Sequence, residues 1–352
     1  MKAFYFFSGL MAAAVMSFTN CHPEEKVGPN LTSDMLLDSI KITGITPKYH
    51  SATITGKAAV VDTSIIQYRR SGDSSWSDAT SSTTDGTVSA DITGLYDNTT
   101  YEVRISSGSV NGPSETFTTK KENQLYNMSF DTWSKDGSSW CCYNLDGRDS
   151  EKIWENANNA TAGLGYNCTS PEEDDVISGK AVKLVSNVVF GQLIAGFLFT
   201  GLSGSFSGTP TSATIKMGIP FTDRPAALTG WAKYIVDTIY YAKAPHMSKI
   251  GTLDSGRLFV LLTDWDSPFA VKPSQTRIDF NHETNSSIIG YGEKLFESTD
   301  ESYNEFTIPI EYYSDSTPNY VVICATSSTN GIFYTGGEGS TLYLDEFKFV
   351  YE

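Results

Sequence analysis

Histidine and cysteine are scarce in this chain, with four and five among 352 residues. The histidines are His22, His50, His246 and His282. None has a partner at ligand spacing, which argues against histidine-based metal or triad chemistry. Cys141 and Cys142 are adjacent rather than two residues apart, so no zinc motif forms. In an oxidising compartment one of that pair could bridge to Cys168. Cys324, inside the strand-like run 320–325, reads as a small buried apolar residue. Basic residues are also few, 25 against 41 acids, for a net charge of -16. That argues against a nucleic-acid partner, which needs a basic footprint. It suits a soluble surface protein repelled by anionic lipid. After the first twenty residues there is no amphipathic helix of convincing length.

What the chain does have begins at its first residues. Lys2 precedes an apolar run from Ala3 to Val15, and Met16-Ser17-Phe18-Thr19-Asn20-Cys21 follows. The run is shorter than the roughly 20 apolar residues of a membrane span and has the layout of a secretory signal. Cys21 at the cleavage point resembles the lipobox cysteine of bacterial lipoproteins, although Asn20 stands where a small residue is usual. Glu24 and Glu25 resemble the acidic export signal of surface lipoproteins in Bacteroidetes. These resemblances imply cleavage after residue 20, lipidation of Cys21, and a protein held on the outer membrane and facing the cell surface. The alternative is an ordinary signal peptide with an incidental cysteine.

Twenty-nine glycines, 19 tyrosines and 19 phenylalanines, with abundant serine and threonine, point to an all-β protein with many turns. Length allows two domains, each with its own core. Residues 21–37 read as a polar tether. From 38 to 120, short alternating strands are expected at Ser39–Ile45, Ser51–Ala58, Ile65–Arg70, Thr87–Ile92, Tyr101–Ser107 and Ser114–Thr119, spaced as in a β-sandwich. The stretch Thr93–Arg104 resembles the tyrosine corner of fibronectin type III domains, with Leu95 packed inward and the Tyr101 hydroxyl bonded back to the chain. This first, fibronectin type III or immunoglobulin-like sandwich is expected to be a spacer.

Lys120-Lys121-Glu122-Asn123 forms a charged link to a larger domain, residues 124–352. Its opening Asn127-Met128-Ser129-Phe130-Asp131-Thr132-Trp133 and closing Leu344-Asp345-Glu346-Phe347 resemble the paired end strands of jelly-roll carbohydrate-binding modules. In the closing segment, period-2 alternation places Leu342 and Leu344 on one face and Tyr343 and Asp345 on the other. Further stretches are Ile153–Asn158, Ser178–Leu184, Gly218–Pro225, Leu261–Trp265, Phe306–Tyr312 and Gly336–Leu342. Together they resemble the Bacteroidetes family named the putative carbohydrate metabolism domain. The resemblance implies a lectin-like two-sheet jelly roll and a glycan partner. Jelly-roll modules often hold a structural calcium near their end strands, and Asp131 and Asp345 fall at those positions; no other cofactor is implied.

Sugar sites commonly stack an aromatic ring on a pyranose, with amides and carboxylates around the rim. Trp154 beside Asn156, and Trp265 between Asp264 and Asp266, are the expected platforms and rim groups; Trp140 ranks next. The competing reading of each ring is core. Arg224 could clamp an acidic sugar bidentately, or hold an internal salt bridge. Hydrolysis would need two carboxylates about 5–5.5 or about 6.5–9.5 Å apart. Glu155, Asp264, Asp266, Glu293 and Glu311 are candidates, but no pair stands in a catalytic motif, so the catalytic residues are unassigned. The favoured expectation is non-catalytic glycan capture for polysaccharide use. A glycoside hydrolase and a structural or adhesive subunit are the alternatives.

Overall fold

The computed structural model describes residues 40–58, 64–205, 214–272 and 277–352. Cys21, its signal and the tether lie outside them. The described residues form antiparallel sheets and short 3-10 turns, with no α-helix. The all-β expectation holds.

Residues 40–119 fold as two small sheets. One runs in the order Lys41–Pro47, Ser51–Lys57, Thr87–Thr93, Ser81–Thr84. The other runs Ser77–Ala79, Ser64–Arg70, Thr100–Ser107, Val110–Asn111, with Glu115–Thr118 also on Thr100–Ser107. Period-2 alternation turns Ala52 and Ile54, Val88, Ala90 and Ile92, and Tyr101, Val103 and Ile105 inward to one core. The Tyr101 hydroxyl accepts the Tyr96 N–H at 2.9 Å, and Leu95 is buried beside it. The corner bond is therefore formed as the tyrosine and leucine spacing implied.

The two halves of the chain meet in a fixed seam. Tyr49 packs into the core of the larger half, its ring 4.4 Å from Tyr351. The Tyr351 hydroxyl donates to the Asn123 carbonyl, and the Asn123 amide donates to Asp223. His50 lies between the Leu95 carbonyl and Glu122. The charged link is thus bonded from both sides.

The larger half is a two-sheet sandwich. A nine-stranded sheet follows the path Phe269–Val271, Thr214–Met217, Phe197–Ser205, Tyr320–Thr326, Gly256–Thr263, Ile288–Phe296, Glu311–Tyr312. Trp154–Asn156 pairs beside Phe197–Ser205, and Ile219–Pro220 beside Tyr320–Thr326. The facing sheet runs Thr169–Glu172, Ala181–Val185, Thr341–Val350, Ala227–Ile235, Asn304–Pro309. Leu198, Leu258, Val260, Leu262, Val321 and Ile323 meet Val182, Leu184, Leu228, Tyr234, Leu342 and Leu344 between them.

The opening segment lies beside the closing strand but forms no strand of its own, so the expected pairing of end strands is reduced to a few bonds. Phe347 N–H donates to the Met128 carbonyl, and the Gln124 side chain bonds both backbone groups of Phe349. Alternation in the closing strand breaks at Asp345, which is buried rather than outward. Leu342 and Leu344 point to the core at even positions, Phe347 and Phe349 at odd ones. A register shift opposite Thr229–Trp231 and a left-handed Glu346 (φ 49) insert the extra residue that switches the parity.

The cysteine expectation needs correction. Cys141, Cys142, Cys168 and Cys324 are all free and buried. The Cys168 thiol faces the Ile194 carbonyl and the Asn187 amide, and Asn127 bonds Cys142. Cys324 is a buried apolar residue, as expected.

Candidate functional site

The site is set by a sheet that is apolar on both faces. Gly256–Thr263 is buried at every position but Arg257, and Tyr320–Thr326 is buried from Val321 to Ala325. One set of side chains fills the sandwich. The other set, Phe199, Phe259, Leu261, Val322 and Cys324, forms a second cluster on the outer face, covered by the loops that carry Ile278, Phe280 and Ile332.

Register arranges these outward residues in rows. Glu155 lies opposite Phe199, Phe199 opposite Cys324, Cys324 opposite Phe259, and Phe259 opposite Glu293. The neighbouring row is Phe197, Thr326, Arg257 and Leu295. Over this floor lies a cavity of about 850 Å³. Its walls are residues 156–157, 159–161, 193–195, 277–280 and 328–334, with Ile215, Met217 and Val271.

The polar groups in this cavity are few and distinct. Arg257 donates to Glu293 at 2.8 Å and to the Tyr291 hydroxyl at 2.7 Å, and its guanidinium lies over Phe259 and Phe280. Arg277 is exposed and lies over Phe333 at 4.7 Å. Asp279 accepts the Thr284 hydroxyl and the Asn281 N–H, which hold its carboxyl below the usual range. Burial pushes the Cys324 thiol up to about 12, so it is not a nucleophile at neutral pH. Glu155 is 8% exposed, with no hydrogen bond or ion pair among the described residues, and burial pushes its carboxyl up to about 7.

Of the residues expected to bind sugar, only Asn156 lines this cavity. Its amide donates to the Trp140 carbonyl and its oxygen accepts the Asn158 N–H, so it chiefly shapes the wall. Trp154 is corrected from platform to core. It is 1% exposed, donates its indole N–H to the Tyr126 carbonyl at 2.8 Å, and meets Phe130 edge-on. The strand alternates, so Trp154 points inward and Glu155 outward. Trp265 is half-buried and stacks on Phe269 at 5.0 Å, in the outer-face cluster but outside the cavity lining. Asp264 and Asp266 beside it are exposed. Trp140 is half-buried, edge-on to Trp133, under Lys135. Arg224 is corrected from sugar clamp to loop brace: it donates to the carbonyls of Ser314 and Ser316 and covers Tyr312. Glu311 is exposed and accepts the Tyr313 hydroxyl.

Asp131 and Asp345 grip the same turn. Asp345 accepts the N–H groups of Ile177, Ser178 and Glu346, and Asp131 accepts that of Lys180 and the Ser129 hydroxyl. Among the described residues no three His, Cys, Asp or Glu side chains converge as a metal cage. An ion here would draw on carbonyl oxygens and compete with these donors.

Sequence reasoning missed Phe197, Phe199, Phe259, Arg257, Arg277 and Phe280. The signal was present: Phe197-x-Phe199 and Arg257-x-Phe259 alternate within runs whose intervening residues are also apolar, the pattern of strands buried on both faces.

A two-sheet β-sandwich with a walled cavity on one outer face is the class that this geometry defines. The chain belongs to the family described as the putative carbohydrate metabolism domain, whose model matches residues 129–350. A solved structure named a putative glycoside hydrolase from Bacteroides thetaiotaomicron VPI-5482 is similar at TM-score 0.51 and 18% identity, covering 89% of this chain and 96% of that one. Another of that name from Bacteroides vulgatus ATCC 8482 has TM-score 0.49 and 18% identity, covering 63% of this chain and 95% of its own. At such identity the likeness is one of fold. No curated protein matches the chain.

Two measurements follow from these carboxylates. Glu155 keeps its proton in the folded state up to about pH 7, whereas its ordinary value is 4.5. Between those values the unfolded chain has lost a proton that the native chain still holds, so stability falls as pH rises. Glu155→Gln is expected to remove that slope and to be more stable than the parent above the transition, by on the order of 3 kcal/mol at most. Urea unfolding at several pH values reads this; parallel slopes for both proteins would refute it. Asp345→Asn is expected to cost about 1–3 kcal/mol, because the turn 177–180 loses charged-acceptor bonds. Melting of the parent in EDTA and in calcium decides whether an ion adds to that grip. A higher melting temperature in calcium that Asp345→Asn abolishes supports the ion.

Proposed function

We propose that this chain captures glycans in the cavity on the outer face of its nine-stranded sheet, without cleaving them, as a lipid-anchored protein at the cell surface that serves polysaccharide use. One observation carries the reading: a cavity of about 850 Å³ lined by the half-buried rings of Phe197, Phe280 and Phe333 and a sparse set of charged groups, in a domain of a carbohydrate family. Aromatic faces suit the C–H faces of sugars, and sparse polar groups suit selection among hydroxyls. Membership of the carbohydrate family supports the class of ligand, and the smaller sandwich then serves as a spacer.

Hydrolysis is a second reading, and Glu155 favours it, since a carboxyl that keeps its proton near neutrality suits a general acid. A partner is harder to supply. Glu293 stands four strands away in the same row, roughly 19 Å at ~4.8 Å per strand, and it is paired with Arg257. That separation exceeds the roughly 5–9.5 Å used by glycosidases. Asp279 is the other acid in the cavity wall.

A glycan array with the soluble form beginning after Cys21, and reducing-end release measured in parallel, separates the readings. Arg277→Ala is expected to weaken capture roughly tenfold or more, as removal of an interface anchor does, with unchanged melting because the side chain is exposed. Sugar release that Glu155→Gln abolishes would establish hydrolysis instead. Capture that survives Arg277→Ala unchanged would move the site elsewhere. For the anchor, Cys21→Ser is expected to leave the membrane fraction or to keep its signal uncleaved. Normal processing and unchanged membrane partition in that variant would overturn lipidation.

A further inference from the structure

The Glu155 carboxyl is an anomaly that the fold does not explain. A buried polar group ordinarily has a hydrogen-bond partner, and a buried carboxylate a cation. Glu155 has neither among the described residues, although it is more than nine-tenths buried and its side chain lines the cavity. The elements around it offer no cation. From the strand Ser139–Cys141 and the residues after it come Cys141 and Tyr143, both raised by burial and so neutral. Across its own sheet stands Phe199. The charges of the cavity belong to Arg257, two strands beyond Phe199 and already engaged by Glu293, and to Arg277 and Asp279 on the loop 277–280. The buried Tyr334 hydroxyl, in a residue that lines the same cavity, has no partner either among the described residues.

We propose that Glu155 is the specificity-determining residue of the cavity, its carboxylate accepting a pair of hydroxyls from a neutral glycan, so that capture tightens as pH rises. The inference rests on the glycan reading above and adds the ligand class and its control. Hydroxyl donors are what an acceptor-only carboxylate lacks, and bonds to an ionised acceptor are the stronger kind. Ionisation without a ligand is opposed by burial, so below neutrality the free site holds a proton that a bound sugar displaces to solvent. An acidic glycan would place its own carboxylate against Glu155 and be rejected at the pH where neutral sugars bind best. Glu155 therefore acts as a filter as well as a contact.

The test is a glycan array carrying neutral and uronic-acid oligosaccharides, probed with the parent and with Glu155→Gln at about pH 5.5 and about pH 8.5, on either side of the titration. The glutamine variant keeps the shape of the side chain and cannot ionise. Parent affinity for neutral glycans is expected to rise roughly tenfold between the two conditions, one unit of pKa displacement, with no such rise in Glu155→Gln. Titration of the Glu155 carboxyl by carbon-13 NMR is expected near neutrality in the free protein and lower with the bound glycan. Bound neutral glycans with the same pH response in parent and variant would overturn this inference and leave glycan capture standing. So would stronger binding of acidic glycans at the higher pH. No bound glycan under either condition would overturn the capture reading and this inference with it.

Discussion

The structure depends on a sheet with no solvent-facing side at its centre. Strands Gly256–Thr263 and Tyr320–Thr326 present apolar residues to both faces. Burial of one large apolar side chain is worth about 1.5–3 kcal/mol, so neither face can be left to water without a large loss. The facing five-stranded sheet covers one side. The other is covered by loops and short strands, and irregular cover does not fill space as a second sheet does. The cavity is what remains between a flat apolar floor and that cover. Its position follows from the packing problem, and its chemistry from which residues the register places in the row from Glu155 to Glu293.

How much of this was legible in the sequence differs between the halves. In residues 40–119 most strands alternate toward one core, and the limits of the six expected strands lie within one or two residues of those observed, whereas the short strands Ser77–Ala79, Ser81–Thr84 and Val110–Asn111 were not expected. The tyrosine corner was legible too, because Leu95 and Tyr101 are fixed by local spacing. In the larger half, period-2 reading locates strands but cannot say what lies on the second apolar face. Phe199 and Phe259 look like core in a linear reading, and they are buried in fact, with the half-buried rings of Phe197 and Phe280 beside them at the cavity. What makes them a site floor is the incomplete loop cover, a property of tertiary structure. The tryptophans misled for the converse reason. A tryptophan in an Asn- and Gly-rich stretch suggests an exposed ring, but Trp154 begins a three-residue strand whose pairing with Phe197–Ser205 fixes its direction inward. Arg224 was legible as a candidate for an internal contact, yet its partners are carbonyls of a distant turn, which no charge pattern marks.

Parity is the thread common to these outcomes. In a strand one residue of displacement exchanges the two faces. The closing strand shows this when the extra residue at Glu346 moves its inward set from even to odd positions and leaves Asp345 buried. A carboxylate in that position is tolerable because three backbone N–H groups satisfy it. Glu155, 8% exposed against 0% for Asp345, has no such donors among the described residues. Two buried acids in one domain thus meet opposite conditions, the first bonded as part of the fold, the second left open toward a cavity.

That contrast bears on how the site can be probed. Trp154 and Glu155 are neighbours on one short strand, one in the core and one at the cavity. Removing Trp154 would empty a packed core position, with the several kcal/mol that such truncations cost, and any loss of ligand would be indirect. Removing the Glu155 charge relieves an unfavourable burial, so the fold is strengthened while the site is altered. A residue whose replacement stabilises the protein is not held in place by folding. Stability and function therefore move in opposite directions at Glu155, and together at Trp154, which separates the wall of the site from the scaffold behind it.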